Sequence, residues 1–516
     1  MELVKTVCYE DFGAVGDGKT DDFDAIKRAH EYANENRLDV VTDGSKTYYI
    51  GDTTIDVAEK KAKAPIEIKT NVDWNTSRFI IDDSTITSDM PARWTLIFKV
   101  VREHPIAYYT ADEDTPNGFI ARINSEGGFK TDIRKFDIGI GYEALLYVRD
   151  DSKRVYIRYG PNKNPGEGQN ELIYVDKDGN IDPDTPFLLD YDAVTSIKAV
   201  RTDDAPLTIR GGIFTTIANQ APEDYKYYNR GLSIARSNVT VEKLTYKIAG
   251  EGDHGDPYAA FVDVIEAANV VIQNCSFQAH KYYMCVGSGG GAPVGMGTYA
   301  ISAHDANKVT WRRCSQSNFF TPDGKVRRYI WDIMGSSGCK NLSYEDSLLS
   351  RLDAHAGMYN ANVSHSTLTC IALSGGGDLK VENSDVYSNT LIEMRSDYGS
   401  SWNGKIYVKD VTMHNSDVAC IFRCGWFNHD FGFKTHVPEE IVIDGLRLTT
   451  PTDIHIFPEK YVERIAQAHL DEIDGEPNLN KTAPPKRIVI KNNKGKYKFI
   501  IPDNEFFKNT EFIIED

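Results

Sequence analysis

Val270-Val271-Ile272-Gln273-Asn274-Cys275 and Leu379-Lys380-Val381-Glu382-Asn383-Ser384 are two versions of one short unit, a run of alternating residues that ends in a turn. Outward from these the unit recurs as Leu207-Thr208-Ile209-Arg210-Gly211, Val239-Thr240-Val241-Glu242-Lys243, Val309-Thr310-Trp311-Arg312-Arg313, Val363-Ser364-His365, Ile406-Tyr407-Val408-Lys409-Asp410, Ile441-Val442-Ile443-Asp444-Gly445 and Ile488-Val489-Ile490-Lys491-Asn492. The shortest intervals, Leu342 to Val363 and Val363 to Leu379, suit the ~20 residues of one turn of a parallel β-coil. Longer intervals read as loops inserted between strands. An antiparallel sandwich would need hairpin signals between consecutive units, and these are sparse, so the pattern predicts an all-β solenoid.

Because repeat folds escape the rule of one domain per ~150 residues, a length of 516 does not force several domains. The expected division is 1–88 for an N-terminal cap and first coils, 89–204 for an inserted β subdomain, 205–450 for the solenoid body, and 451–516 for a C-terminal helix and closing strands. The insert is expected where strands lengthen, as in Ala144-Leu145-Leu146-Tyr147-Val148 and Val155-Tyr156-Ile157-Arg158-Tyr159. Phe23, Ile26, Ala29 and Ala33 share one face of a predicted helix, capped by Thr20 or Asp21, that would cover the open end of the solenoid. Pro458 to Asp474 reads as a second amphipathic helix.

A formal net charge of −18 disfavours nucleic acid, whose phosphates call for clustered Lys and Arg. No apolar run approaches the ~18 residues of a membrane span, so a soluble chain without membrane partner is expected. Met1 to Glu10 lacks the basic start and apolar stretch of a secretory signal, which leaves the cytoplasm or a virion, as in a prophage tail, as the expected location. The eight cysteines are too sparse for a disulfide framework, and Cys275 and Cys314, at matching places in their units, are expected as stacked buried thiols. No cofactor and no metal are expected.

The segment Asp11-Phe12-Gly13-Ala14-Val15-Gly16-Asp17-Gly18-Lys19-Thr20-Asp21-Asp22, with the helix after it and Thr47-Tyr48-Tyr49-Ile50-Gly51-Asp52, resembles the opening motif of the pectate-lyase and polygalacturonase superfamily. The resemblance implies a right-handed parallel β-helix with a capped start. That superfamily includes lyases, glycoside hydrolases and phage tailspike depolymerases, so the motif implies a fold and a polysaccharide or oligosaccharide partner without choosing a reaction. Further segments, Gly250 to Tyr258, Ser350 to Gly357 and Arg395 to Trp402, resemble β-helical proteins of Gram-positive bacteria and their prophages. The Asn-Thr-Asp strand with adjacent Asp-Asp of polygalacturonases and the regular Arg pattern of calcium-dependent pectate lyases are absent, so neither family's catalytic residues carry over.

Stacked coils set matching residues ~4.8 Å apart, and an ungapped alignment of two coils puts Trp331-Asp332 over Leu352-Asp353, Gly338 over Tyr359 and Leu342 over Val363. Glu393 sits on a comparable strand about two coils beyond Asp353. Paired carboxylates are what glycoside hydrolysis needs: Asp332 and Asp353 at ~5 Å would suit a retaining mechanism, Asp353 and Glu393 at ~9 Å an inverting one. His355, two residues after Asp353, points to the same side and is a candidate acid or base, and Arg395 relates to Glu393 in the same way as a substrate ligand. Asp253, His254, His280, Lys281, Tyr282, Asp305, Asp397 and Trp402 are secondary substrate-binding candidates; as a bland alternative, these are solvated loop residues or ordinary core aromatics, and Asp332 and Asp353 cap turns or form a buried polar ladder.

The first functional expectation is therefore a glycoside hydrolase using Asp332, Asp353 and Glu393. A lyase on uronic acids, with Lys281, His355 or a Tyr as base and Arg395 on the sugar carboxylate, is the alternative enzyme. From another class comes a non-catalytic glycan-binding prophage tail or adhesion protein, which would be trimeric if tailspike-like. Asp176 to Asp182 is spaced somewhat like a calcium loop, but its Gly is misplaced and no Glu closes it, so a polar hairpin turn is expected.

Overall fold

The computed structural model describes residues 6–51, 65–85, 96–157, 165–218, 220, 227, 229–252, 258–281, 298–327, 337–395, 402–423, 435–457, 483–495, 497–503 and 506–515, and the backbone of 283–289, 292–296, 332–336, 472–473, 476–477 and 505. These fall into two compact units: Met1–His104, Asp203–His304 and Val309–Met334 form one, and Pro105–Thr202, Asp305–Lys308 and Gly335–Asp516 the other. Both are built from parallel coils.

In the first unit three columns of strands stack in parallel. One runs Val40–Val41, Val72–Asp73, Leu207–Arg210, Val239–Glu242 and Ala268–Gln273. A second runs Ile66–Ile68, Phe98–Val101, Leu232–Ala235, Val262–Ile265 and Tyr299–His304. A third starts at Asp17–Asp21 and continues through Thr47–Ile50, Arg78–Asp82, Ile213–Ile217 and Thr245–Ala249. Leu207 pairs with Val239 and Val239 with Val270, so a coil here takes about 30 residues rather than ~20. Inward-facing residues alternate with outward ones, and rings pile up inside: Phe79 stacks on Phe214 at 4.5 Å and Tyr246 on Phe261 at 4.1 Å.

The opening motif works through its carboxylates. Asp22 accepts the backbone N–H groups of Val15 at 2.7 Å and Gly16 at 3.1 Å, and Asp21 accepts that of Phe23 at 3.0 Å; the residue at the cap position is Asp22 rather than the expected Thr20 or Asp21, and its carboxylate ties down the opening loop instead of capping the helix. The helix Phe23–Asn36 buries Phe23, Ala25, Ile26, Ala29, His30 and Ala33 against Val40–Val41 and Ile66–Ile68, the first strands of their columns. Beneath it the indole of Trp74 donates to the Tyr9 hydroxyl, which bonds His30 at 2.8 Å. Cys275 and Cys314 are buried reduced thiols as expected, donating to the carbonyls of Val241 and Ile272.

In the second unit one column runs from residues 336–345 through Arg351–Ser364, Gly375–Glu382, Trp402–Lys409, Glu440–Asp444 and Arg487–Lys491 to Glu511–Ile514. Another joins residues 351–353 to Cys370–Leu373, Thr390–Met394, Ala419–Arg423, Ile454–His455 and Phe499–Ile500. The strand Arg351–Ser364 belongs to both, turning the corner between them at Gly357, where φ is 77°. Asn383, Asp410 and Asn492, which end their sequence units, all take φ between 48° and 54°, a left-handed turn that short polar side chains tolerate. The turns are braced from coil to coil, as where the Ser366 hydroxyl accepts the Ser347 N–H and the Ser384 hydroxyl accepts that of Ser366.

The insert is an antiparallel sheet in the order Glu167–Val175, Ala144–Val155, Ser196–Arg201, Ala107–Thr110, with the helix Phe119–Ser125 over a core of Phe119, Phe129, Phe136, Phe187 and Tyr191. Two expectations shift. Phe98–Val101 belongs to a parallel column, so the insert begins after it rather than at residue 89. Of the expected strand Val155 to Tyr159 only Val155 is a strand residue among those described. Asp176 accepts the N–H groups of Asp178 and Asn180 in the expected hairpin turn. Of the proposed C-terminal helix, residues 458–471 lie outside the described residues, and Glu472–Ile473 pairs as a short strand with Glu476–Pro477. No helix among the described residues is long and apolar enough to cross a membrane.

Candidate functional site

The second unit carries a row in exact register: Asp353 pairs with Ala372, Ala372 with Glu393, and Glu393 with Arg423. Two coil spacings put the backbones of Asp353 and Glu393 about 10 Å apart. Ala372 between them offers only a methyl group, and across it Arg395 reaches back to Asp353, Nη1 to Oδ1 at 2.6 Å. From the other side Arg351 holds Oδ2 with Nη2 at 2.8 Å and Nε at 3.2 Å. Asp353 is wholly covered, while the Arg351 and Arg395 side chains stay 17% and 14% exposed. One buried carboxylate thus holds two largely buried arginines, each of which keeps a small part of its surface exposed.

Burial alone would raise the pKa of Asp353. The charges of Arg395 and Arg351, and then His355, outweigh it and hold the carboxyl well below the usual range. Such a group stays ionised and sealed from solvent, so Asp353 is no general acid. Glu393 and His355 are half-buried and Arg423 is exposed on the same row. Cys370, opposite Arg351, is pushed up to about 11, first by burial, and so is an unreactive thiol near neutrality.

The remaining candidates separate. The ungapped alignment is two residues out: Lys340, not Gly338, pairs with Tyr359, and Tyr344, not Leu342, with Val363, while Ser336 pairs with Ala354. The bulge between Ser336 and Ser337 adds one more, so that at Ser336 the alignment is three residues out, and the alignment that set Asp332 over Asp353 loses its basis. The Asp332 side chain, like Asp253, His254, Tyr282 and Asp397, lies outside the described residues. Trp402 is a core residue: it has no exposed surface, and its indole N–H donates to the Gly377 carbonyl at 3.0 Å, so it presents no face to a sugar. His280 is likewise fully buried, bonded to the Tyr246 hydroxyl at 2.9 Å and Glu251 at 3.2 Å and stacked on Tyr258. Lys281 is exposed beside it, and Asp305 ion-pairs Lys198 of the insert at 3.3 Å. Both corrections of Trp402 and His280 share a cause, since alternation in a strand does not say which face looks inward.

Arg351 and Arg423 were not among the sequence candidates. The two-residue rule that selected His355 would have found Arg351 on the other side of Asp353; Arg423 had no signal short of the coil register.

No protein-family model matches this sequence, and no curated protein is similar enough to count as a match. Solved structures are similar across nearly its whole length. The gp54 tailspike of Acinetobacter baumannii bacteriophage AP22, solved with A. baumannii capsular saccharide, is 11% identical over 99% of this chain and 79% of its own, with a TM-score of 0.51. This is the right-handed parallel β-helix fold. The β-helix is also similar to the tailspike gp61 of Pseudomonas phage phi297, 10% identical over 99% and 84% of the two chains with a TM-score of 0.49. A third is PfbA, a surface adhesin of Streptococcus pneumoniae, 11% identical over 99% and 92% at 0.43.

If Trp402 serves only this core, Trp402→Phe costs about 1–2 kcal/mol through the orphaned Gly377 carbonyl. Denaturant titration reads the loss; an unchanged midpoint would mean that the bond to Gly377 is not what holds the ring.

Proposed function

We propose that this β-helix binds a polysaccharide containing acidic sugars and cleaves it over the Asp353 to Arg423 row. The observation that carries the reading is the pair of arginines fixed by a buried carboxylate beside an accessible one. Arg351 and Arg395 are built to receive a planar anion such as a sugar carboxylate, because guanidinium forks match its geometry. Their partner Asp353 keeps them in place as a positioning residue rather than a reacting one. In a chain of net charge −18 a local cluster of Arg351, Arg395 and Arg423 supports a site made for negative charge.

In the hydrolytic reading Glu393 is the general acid that protonates the glycosidic oxygen, with His355 as the group that activates water. The arginine pair also favours elimination, in which His355 removes the proton α to a uronate carboxylate whose charge Arg351 and Arg395 neutralise, a C=C bond forms as the β carbon–oxygen bond breaks, and Glu393 gives its proton to the departing glycosidic oxygen. That the fold accommodates saccharide is consistent with the tailspike solved with a capsular saccharide. Incubation with a panel of uronate-containing and neutral polysaccharides tests the reading. New reducing ends without ultraviolet absorbance mean hydrolysis, absorbance of unsaturated ends means elimination, and binding of acidic glycans without cleavage means an adhesion or tail protein, for which light scattering would then read a trimer. Absence of binding to every acidic glycan overturns the proposal.

A further inference from the structure

The insert is fastened along the corner turns of successive coils. Lys308 pairs with Asp182 at 2.7 Å, and Asn341 donates to the Asp184 carbonyl at 2.7 Å. Lys340, wholly buried, pairs with the equally buried Glu171 at 3.0 Å. On the next coil the hydroxyls of Tyr156 and Tyr359 share a hydrogen bond of 2.6 Å, and beyond it Leu188 closes on Gly377, where an added Cβ would stand 3.1 Å away. These corners divide the column of residues 358–364 from the one that carries Asp353 and Glu393. The insert therefore runs beside the proposed site, along the stack.

Among the described residues, Tyr156 carries the insert onto the strand of the site. The strand Ala144–Val155 stops there, and Tyr156 takes φ 53°, a conformation that bulky side chains rarely accept. In return its ring packs over Gly357, where an added Cβ would lie 3.0 Å from the ring, with Ala356, Val155, Leu188 and Leu189 around it. Gly357 is two residues past His355 on the same strand. Strain kept at one point, a glycine that makes room for a ring, and a buried hydroxyl pair all serve to hold the hairpin at a set height beside His355.

We infer that the insert is the lateral wall of the glycan site, and that Tyr156 and Tyr359 are positioning residues whose clamp admits an unbranched chain and turns away substituents on that edge. The inference rests on the glycan reading above. A wall discriminates by clash, so loosening it relaxes selectivity without weakening the favoured substrate.

The test compares the native protein, Tyr156→Ala and the double variant Tyr156→Phe/Tyr359→Phe on an unbranched acidic glycan and on its branched counterpart, reading the ratio of kcat/KM, or of Kd where no bond is broken. Tyr156→Ala is expected to improve the branched glycan relative to the unbranched one by about tenfold. The double variant keeps both rings and leaves no hydroxyl unpaired but removes the bond of the clamp, and is expected to give a ratio between that of the native protein and that of Tyr156→Ala. An unchanged ratio in Tyr156→Ala with a lowered Tm overturns the inference alone, provided Arg395→Gln still abolishes binding. A native chain that binds neither glycan overturns the glycan reading, and the wall with it.

Discussion

Asp353→Ala is expected to abolish glycan cleavage and to destabilise the second unit by about 3–5 kcal/mol, because it leaves Arg351 and Arg395 largely buried without the charge that compensates them. Asp353→Asn would keep the shape and lose the charge, so it separates the two effects: packing survives, the guanidinium groups lose their anchor, and affinity for acidic glycan falls. The pH dependence follows from the depressed carboxyl. A group whose folded pKa lies below its unfolded value of about 3.9 contributes stability above that value and loses it as pH falls through the folded one. Acid unfolding of the native chain should therefore steepen below about pH 4 relative to Asp353→Asn, which lacks the group. Urea midpoints between pH 2 and 7 measure it. Parallel curves for the two proteins would mean that Asp353 is not the ionised anchor described.

Glu393→Gln should do the opposite. The side chain is half-buried at the surface of the row and carries no burden in the core, so Tm should barely move. Loss of a general acid typically removes 10²–10⁴ in rate, so kcat is expected to fall about a thousandfold while binding of acidic glycan, which depends on Arg351 and Arg395, persists. A variant that loses binding and rate together would make Glu393 a ligand for the sugar; one that keeps full rate would move the chemistry to His355, where His355→Gln is the next substitution.

The fold was legible because its signals are local. Alternation in Leu379-Lys380-Val381-Glu382 or Ile441-Val442-Ile443-Asp444 is set by the two-residue period of a strand, and the turn residue after each, Asn383 or Gly445, follows from the left-handed conformation that Asn and Gly accept. The cap was legible for the same reason, since Asp21, Asp22 and the helix after them lie within a few residues of one another. Coil length was less so: about 30 residues in the first unit departs from the ~20 suggested by the short intervals around Val363, because loop residues do not change which strands pair.

The site divides along the same line. Sequence alone determined an all-β solenoid of parallel coils and the stretches that supply its strands, both of which depend on spacings within one strand, whereas Arg395, expected beside Glu393, reaches back to Asp353 instead. The sequence also set Glu393 two coils beyond Asp353; only the tertiary structure decided that Ala372 stands between them, that Lys340 rather than Gly338 faces Tyr359, that Asp353 is sealed beneath two arginines, and that Trp402 and His280 turn inward. Those are matters of register between coils and of which face is covered. Both are fixed by long-range packing of one coil on the next, where a bulge of one residue reverses every side chain and leaves the local alternation unchanged.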